Sequence, residues 1–206
     1  MNWLMREEFK KAYKKAQDVL KLIHADDNKM VRTADIVSCV EKELDIDVKF
    51  KNQNFSIIKD MENNAGRFSN YGAAMCVKQD NDKKTAFVLL NDKETPEMKR
   101  FSLVHELGHL MLDSNIFDGK YKICTHIDMD ILSIPDKILE KREYEFLVDE
   151  QAANIFALVV LLPYAGFKKA IDREDIQTIA NRYGVNTNAV ISRLLISREE
   201  VEKNVT

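Results

Sequence analysis

The sequence predicts an α+β fold, and three observations carry that expectation. Apolar residues recur at helical spacing near the start, two β-rich runs flank a polar turn in the middle, and two longer helical stretches with clear boundary signals follow. The chain has 206 residues, 45% of them hydrophobic and 32% charged, enough for one medium-sized core and unlike a disordered tail or a fibrous repeat.

Phe9, Ala12, Tyr13, Ala16, Val19, Leu20 and Ile23 share one helical face, while Lys10, Lys11, Lys14, Lys15, Asp18 and Lys21 fill the other as solvated surface. Ile36, Val37, Val40 and Leu44 predict a second helix from about Thr33. A short strand follows, in which Val48 and Phe50 alternate with Lys49 and Lys51. The runs 73–78 and 85–90 flank Asp80, Asn81, Asp82 and Lys83, which predicts a hairpin within a small antiparallel sheet of three or four strands. Thr95 offers a side-chain N-cap and Pro96 the pre-set φ of a first helical position, opening a helix through about Leu112. Another long helix begins after Pro135 and stops near Leu162, because Pro163 disfavours helical geometry in the residue before it. Finally, Ala180, Gly184 and Val190 have the spacing of a helix-turn-helix, with its second helix from Thr187 to about Leu195.

Thirty-one Lys and Arg against 34 Asp and Glu give a net charge of −3, so nucleic-acid binding would need a local basic patch. Cys39, Cys76 and Cys124 are odd in number and form no CxxC pair, and read as free thiols in a reducing compartment. No apolar core of signal-peptide length opens the chain, and the longest apolar run, 155–162, is far short of the about 20 residues that span a bilayer. These features predict a soluble cytoplasmic protein with no membrane partner.

Chemistry concentrates in His105-Glu106-Leu107-Gly108-His109, an HExxH, notable in a chain with only four histidines. At four-residue spacing both imidazoles leave one face of a helix about one turn apart, within reach of a single tetrahedral zinc ion. Leu103, Val104, Leu107, Leu110 and Met111 cluster on the opposite side, so that side is expected in the core and the histidines beside a cleft. Gly108 lies next to the histidine face, and its cost inside a helix, about 1 kcal/mol relative to Ala, suggests close packing or access there. A catalytic zinc usually has three protein ligands and an open position, so a third ligand is sought downstream. Glu150 supplies it on the later helix, on a face shared with Phe146, Leu147, Ala153, Ala157 and Leu161, where an unpaired carboxylate would be costly. Asn154, one turn on, is placed to hydrogen-bond a ligand imidazole. Glu143, two turns before Glu150, is a rival ligand on the same face. Glu106, about 100° round the helix from His105, flanks the ligands and is the natural general base.

Two blocks, Arg100-Phe101-Ser102-Leu103-Val104-His105-Glu106-Leu107-Gly108-His109-Leu110 and Glu150-Gln151-Ala152-Ala153-Asn154-Ile155-Phe156-Ala157 with Leu161-Leu162-Pro163, resemble the ImmA/IrrE family of metallo-endopeptidases, as does Asn91 ahead of the first block. The similarity spans roughly 88–195. It implies a zincin-like (gluzincin) metallopeptidase: a small antiparallel sheet, two metal-ligating helices, and a C-terminal helix-turn-helix-like element. It also implies Zn²⁺ held by His105, His109 and, in preference to Glu143, Glu150. The expected substrate is a helix-turn-helix repressor of a mobile element or stress regulon. The domain is expected over 1–165, with 166–206 packed on it for structure or substrate docking. DNA binding there is disfavoured, because the second helix carries one cation, Arg193, among Asp172, Glu174, Asp175, Glu199 and Glu200. The alternative class is a DNA-binding or protein-binding regulator with a zinc-stabilised, catalytically weak core.

Forty residues separate His109 from Glu150, including Cys124, His126, Asp128 and Asp130. The last three could share a strand face as a second cation site, although solvated loop polarity is the expectation. Tyr121, His126, Tyr144, Tyr164 and Tyr183 are candidates for an oxyanion donor. Strand 85–90, just before the motif helix, is a candidate for aligning an extended substrate by backbone pairing.

Overall fold

The computed structural model describes residues 7–54, 71–81, 83–113, 116, 121–127 and 141–203. In chain order the elements are α1 (Glu7–Leu22), α2 (Thr33–Leu44), β1 (Ile46–Gln53), β2 (Tyr71–Asp80), β3 (Lys83–Asn91), α3 (Pro96–Leu112), β4 (Tyr121–Ile127), α4 (Lys141–Leu161), α5 (Tyr164–Ile171), α6 (Ile176–Tyr183) and α7 (Thr187–Lys203). The mixed α+β composition agrees with the sequence reading, and so do the starts of α2 and α3.

The sheet differs from expectation. Its order is β1-β3-β2-β4, with β2 antiparallel to both β3 and β4, but β1 parallel to β3. The hairpin fixes β2 against β3 in opposite directions. β1 joins the far side of β3 instead of pairing with β2, and there it runs in the same direction as β3. The sheet is therefore mixed, not wholly antiparallel.

Register sorts the strands into two faces. Ala73, Met75 and Val77 of β2 lie opposite Leu90, Val88 and Ala86 of β3, and all six are buried. Helix α3 packs on β2 and β3, α4 packs on α3, and α1 lays Phe9, Ala12, Ala16 and Val19 against the same assembly, chiefly on α4. On the opposite face Phe87 is partly exposed, pairs with Cys76 across the strands, and has the Lys49 ammonium 5.6 Å from its ring.

Helix α3 is buried on more sides than its wheel suggests. From Phe101 to Met111 every residue except His109 is buried. Among the described residues the histidine side faces α4, which packs along it.

The C-terminal helices share the same continuous core. Asp175 caps α6 by accepting from the Thr178 amide, and Gly184 takes the left-handed conformation that ends α6, at φ 61°. Arg193 on α7 is buried: Nε donates to the Leu162 carbonyl at 3.1 Å and Nη1 to Ser197 Oγ at 2.9 Å, with the Phe167 ring 5.6 Å away. Among the described residues no single helix is long and apolar enough to cross a membrane.

Candidate metal centre

The site begins with the turn that launches α3. Asn91 ends β3 buried, and its Oδ1 accepts from the Lys93 amide at 3.1 Å. Thr95 then caps the helix, its hydroxyl oxygen accepting from the Met98 amide at 3.3 Å, with Pro96 next. That start fixes the rotation of α3 and so the direction of its histidines. Arg100 anchors the same end by donating to the carbonyls of Val31, Tyr183 and Gly184 and, at 3.3 Å, to Thr33 Oγ1. Burial lowers its pKa to about 10, which leaves it charged at neutral pH.

One turn apart, His105 and His109 bring their Nε2 atoms to 3.0 Å, with the rings nearly perpendicular. Glu150 approaches from α4, one oxygen 3.1 Å from His109 Nε2 and the other 3.4 Å from His105 Nε2. Asn154 Oδ1, one turn further along α4, lies 2.8 Å from His105 Nδ1. Nδ1 therefore donates to the amide oxygen, and the Nε2 lone pair faces His109 and Glu150.

Nothing in these contacts needs a metal, but the donor set suits one. The donor atoms of His105, His109 and Glu150 all lie within 4.8 Å of one another. A tetrahedral ion with bonds of about 2.0–2.1 Å holds its donors ~3.3 Å apart. The observed 3.0, 3.1 and 3.4 Å separations straddle that value. Burial works against a charged His109, yet the hydrogen bond and negative charge of Glu150 outweigh it and raise the ring's pKa. A divalent cation would take over from that proton as the counter-charge to Glu150.

Glu106 is wholly buried, and neither carboxylate oxygen has a hydrogen-bond partner among the described residues. Burial pushes its pKa up to about 8; the charge of His109 opposes that shift and the charge of Glu150 adds to it. A carboxylate with raised basicity and no competing partner is suited to proton transfer.

Gly108 marks the closest approach of the two helices. A Cβ there would lie 3.1 Å from Phe156 Cδ1 and 3.2 Å from the Ala153 carbonyl oxygen. The sequence alternative of close packing holds at this position.

The remaining candidates fall elsewhere. Glu143 is on α4, but its side chain lies outside the described residues, as do those of Tyr121, Tyr144 and His126. Asp128 and Asp130 lie wholly outside them, so the second cation site does too. The Tyr183 hydroxyl donates to the Asp27 carbonyl at 2.9 Å, and the Tyr164 ring stands 5.9 Å from the Arg193 guanidinium. Strand β3 cannot pair with a substrate along its length, because β1 and β2 occupy both of its sides. Among the described residues the sheet edges are β1 and β4, and β4 comes from the long interval between the two motif blocks. Sequence reasoning quoted Arg100 as the first residue of the motif block but gave it no role; its signal was a cation directly before Phe101, at the start of the apolar run.

An α+β fold with two histidines and a glutamate convergent between its central helices defines a metallopeptidase-type domain. The chain belongs to the ImmA/IrrE family of metallopeptidases: the model of its IrrE N-terminal-like domain matches residues 43–195. The match runs from the end of α2 into α7, so β1, α6 and the first half of α7 lie inside the family domain. No curated protein matches the chain.

Proposed function

We propose that this protein is a zinc-dependent endopeptidase of the cytoplasm that hydrolyses a peptide bond in a protein substrate, a helix-turn-helix repressor being the expected class. The observation that carries the reading is the convergence of His105 Nε2, His109 Nε2 and the Glu150 carboxylate near the Glu106 carboxylate, which has no hydrogen-bond partner among the described residues. His105, His109 and Glu150 would hold the ion, and Asn154 fixes the tautomer that frees the Nε2 of His105. A zinc ion so bound lowers the pKa of a water to about 7 and polarises a carbonyl.

Glu106 takes the proton from the attacking water at its carboxylate and returns it to the leaving amide nitrogen. A divalent cation held by these ligands would lower the Glu106 carboxyl pKa below its metal-free value and favour its base form near neutral pH. Helix α4 packs against α3 on the side of the histidines and buries His105 and Glu150.

Metal content per chain is the direct test. Native protein should carry about one zinc, and His105→Ala and Glu150→Ala should lose it. Glu106→Gln should keep the zinc and lose cleavage of the repressor by about 100-fold or more. A native chain that stays metal-free when supplied with zinc would sink this reading, and full turnover by Glu106→Gln would remove Glu106 from it.

A further inference from the structure

We propose that Gly108 is a positioning residue: its missing side chain sets the α3–α4 spacing at which Glu150 and Asn154 reach the two imidazoles. The inference rests on the zinc reading above and deepens it.

A methyl group on Gly108 would stand 3.1 Å from Phe156 Cδ1, 3.2 Å from Ala153 O and 3.3 Å from Ala153 Cα. All three distances are tighter than ordinary van der Waals contact, and two of the three atoms belong to the backbone of α4. A side chain can rotate aside; a helical carbonyl and Cα move only with their turn. Ala153 shares that turn with Glu150 and Asn154, so a shift at Ala153 carries both of the groups that face the histidines. Those groups bridge the helices at 3.1, 3.4 and 2.8 Å. Metal–ligand and hydrogen-bond distances tolerate only a few tenths of an ångström.

The helix cannot back away freely. Residues 152–161 of α4 are all buried, and the same helix is packed against α1 as well as α3. Gly108 is also a poor choice for the helix itself, since alanine is the stronger helix former. Two opposite effects are thus expected from one substitution: a local gain for α3 and a loss at the metal.

The experiment measures Zn²⁺ affinity of the full, metal-free chain by competition with a chromophoric chelator, together with its thermal unfolding. Gly108→Ala should bind Zn²⁺ roughly tenfold or more weakly, while its metal-free unfolding midpoint stays near the native one. Phe156→Leu alone, which trims the one mobile contact, should stay within about threefold of native affinity. The double variant should remain closer to Gly108→Ala than to native, because the two backbone contacts persist. Native-like affinity in Gly108→Ala, or full recovery in the double variant, would overturn the inference and leave the zinc reading intact. If Gly108→Ala fails to fold, the double variant is compared with Phe156→Leu, and equal affinity overturns the inference. A native chain that takes up no Zn²⁺ overturns the zinc reading itself and this inference with it.

Discussion

At the scale of single residues, Glu106 is the acidic group held furthest from its ordinary titration range among the described residues. Its carboxyl is fully buried and without a partner among the described residues, and burial raises its pKa from 4.5 to about 8. The native state therefore keeps a proton that the unfolded chain releases. Between those two values the native state binds more protons, so the stability of the metal-free protein falls as pH rises. The effect is absent below the unfolded pKa and complete once pH passes about 8. Glu106→Gln cannot ionise and should flatten that slope. The variant should be more stable than native metal-free protein at pH 8, on the order of 2 kcal/mol. Urea unfolding of chelator-treated samples at pH 5, 6.5 and 8 reads the difference directly, and parallel profiles for the two chains would contradict it.

At the scale of elements, the beginning of α3 is held from both directions. Thr95 caps it from inside, and Arg100 ties it to the α1–α2 connection and to the turn between α6 and α7. Lysine could not reproduce that fork, since it has one nitrogen where the guanidinium has three. Arg100→Lys should lower stability by about 2 kcal/mol, seen as a lower urea midpoint with an unchanged slope. A midpoint equal to native would mean that the carbonyls find other donors. The HExxH, the Thr95 cap and the β2–β3 hairpin were readable in the sequence because each depends on residues within a few positions of one another. The direction of β1 was not readable, because it is set by where the strand docks and not by its own alternation. Phe50 shows the limit of that alternation: it shares the inner face with Val48 by register, yet remains exposed. The packing of α4 along the histidine side was hidden for a similar reason. A wheel sorts one helix into faces, but the second burial partner of α3 comes from forty residues further on.

At the scale of the whole molecule, one continuous core runs from α1 to α7, and this bears on what the C-terminal helices can do. The lone cation between Thr187 and Leu195 is Arg193, which spends its guanidinium on Leu162 and Ser197 inside the core. The outer side of that stretch offers Ile191 and Leu195, both 44% exposed. Phosphate contacts need accessible cations. Duplex DNA should therefore show no binding whose strength falls steeply between 50 and 200 mM salt, as followed by fluorescence anisotropy at ~1 µM protein. A steep salt slope would reopen the DNA-binding alternative.

The packing of α1 on α4 has a consequence for how the chain is made. Phe9, Ala12, Ala16 and Val19 complete their burial on a helix that ends at Leu161. At about 5–20 residues per second, a ribosome needs roughly 7 to 28 seconds to complete that helix after the first one has been made. Throughout that interval the apolar stripe of α1 lacks its main partner, with only α2 and α3 available to cover part of it. The stripe on α1 is thus made well before the helix that completes its shelter, and the face opposite it carries Lys10, Lys11, Lys14, Lys15 and Lys21.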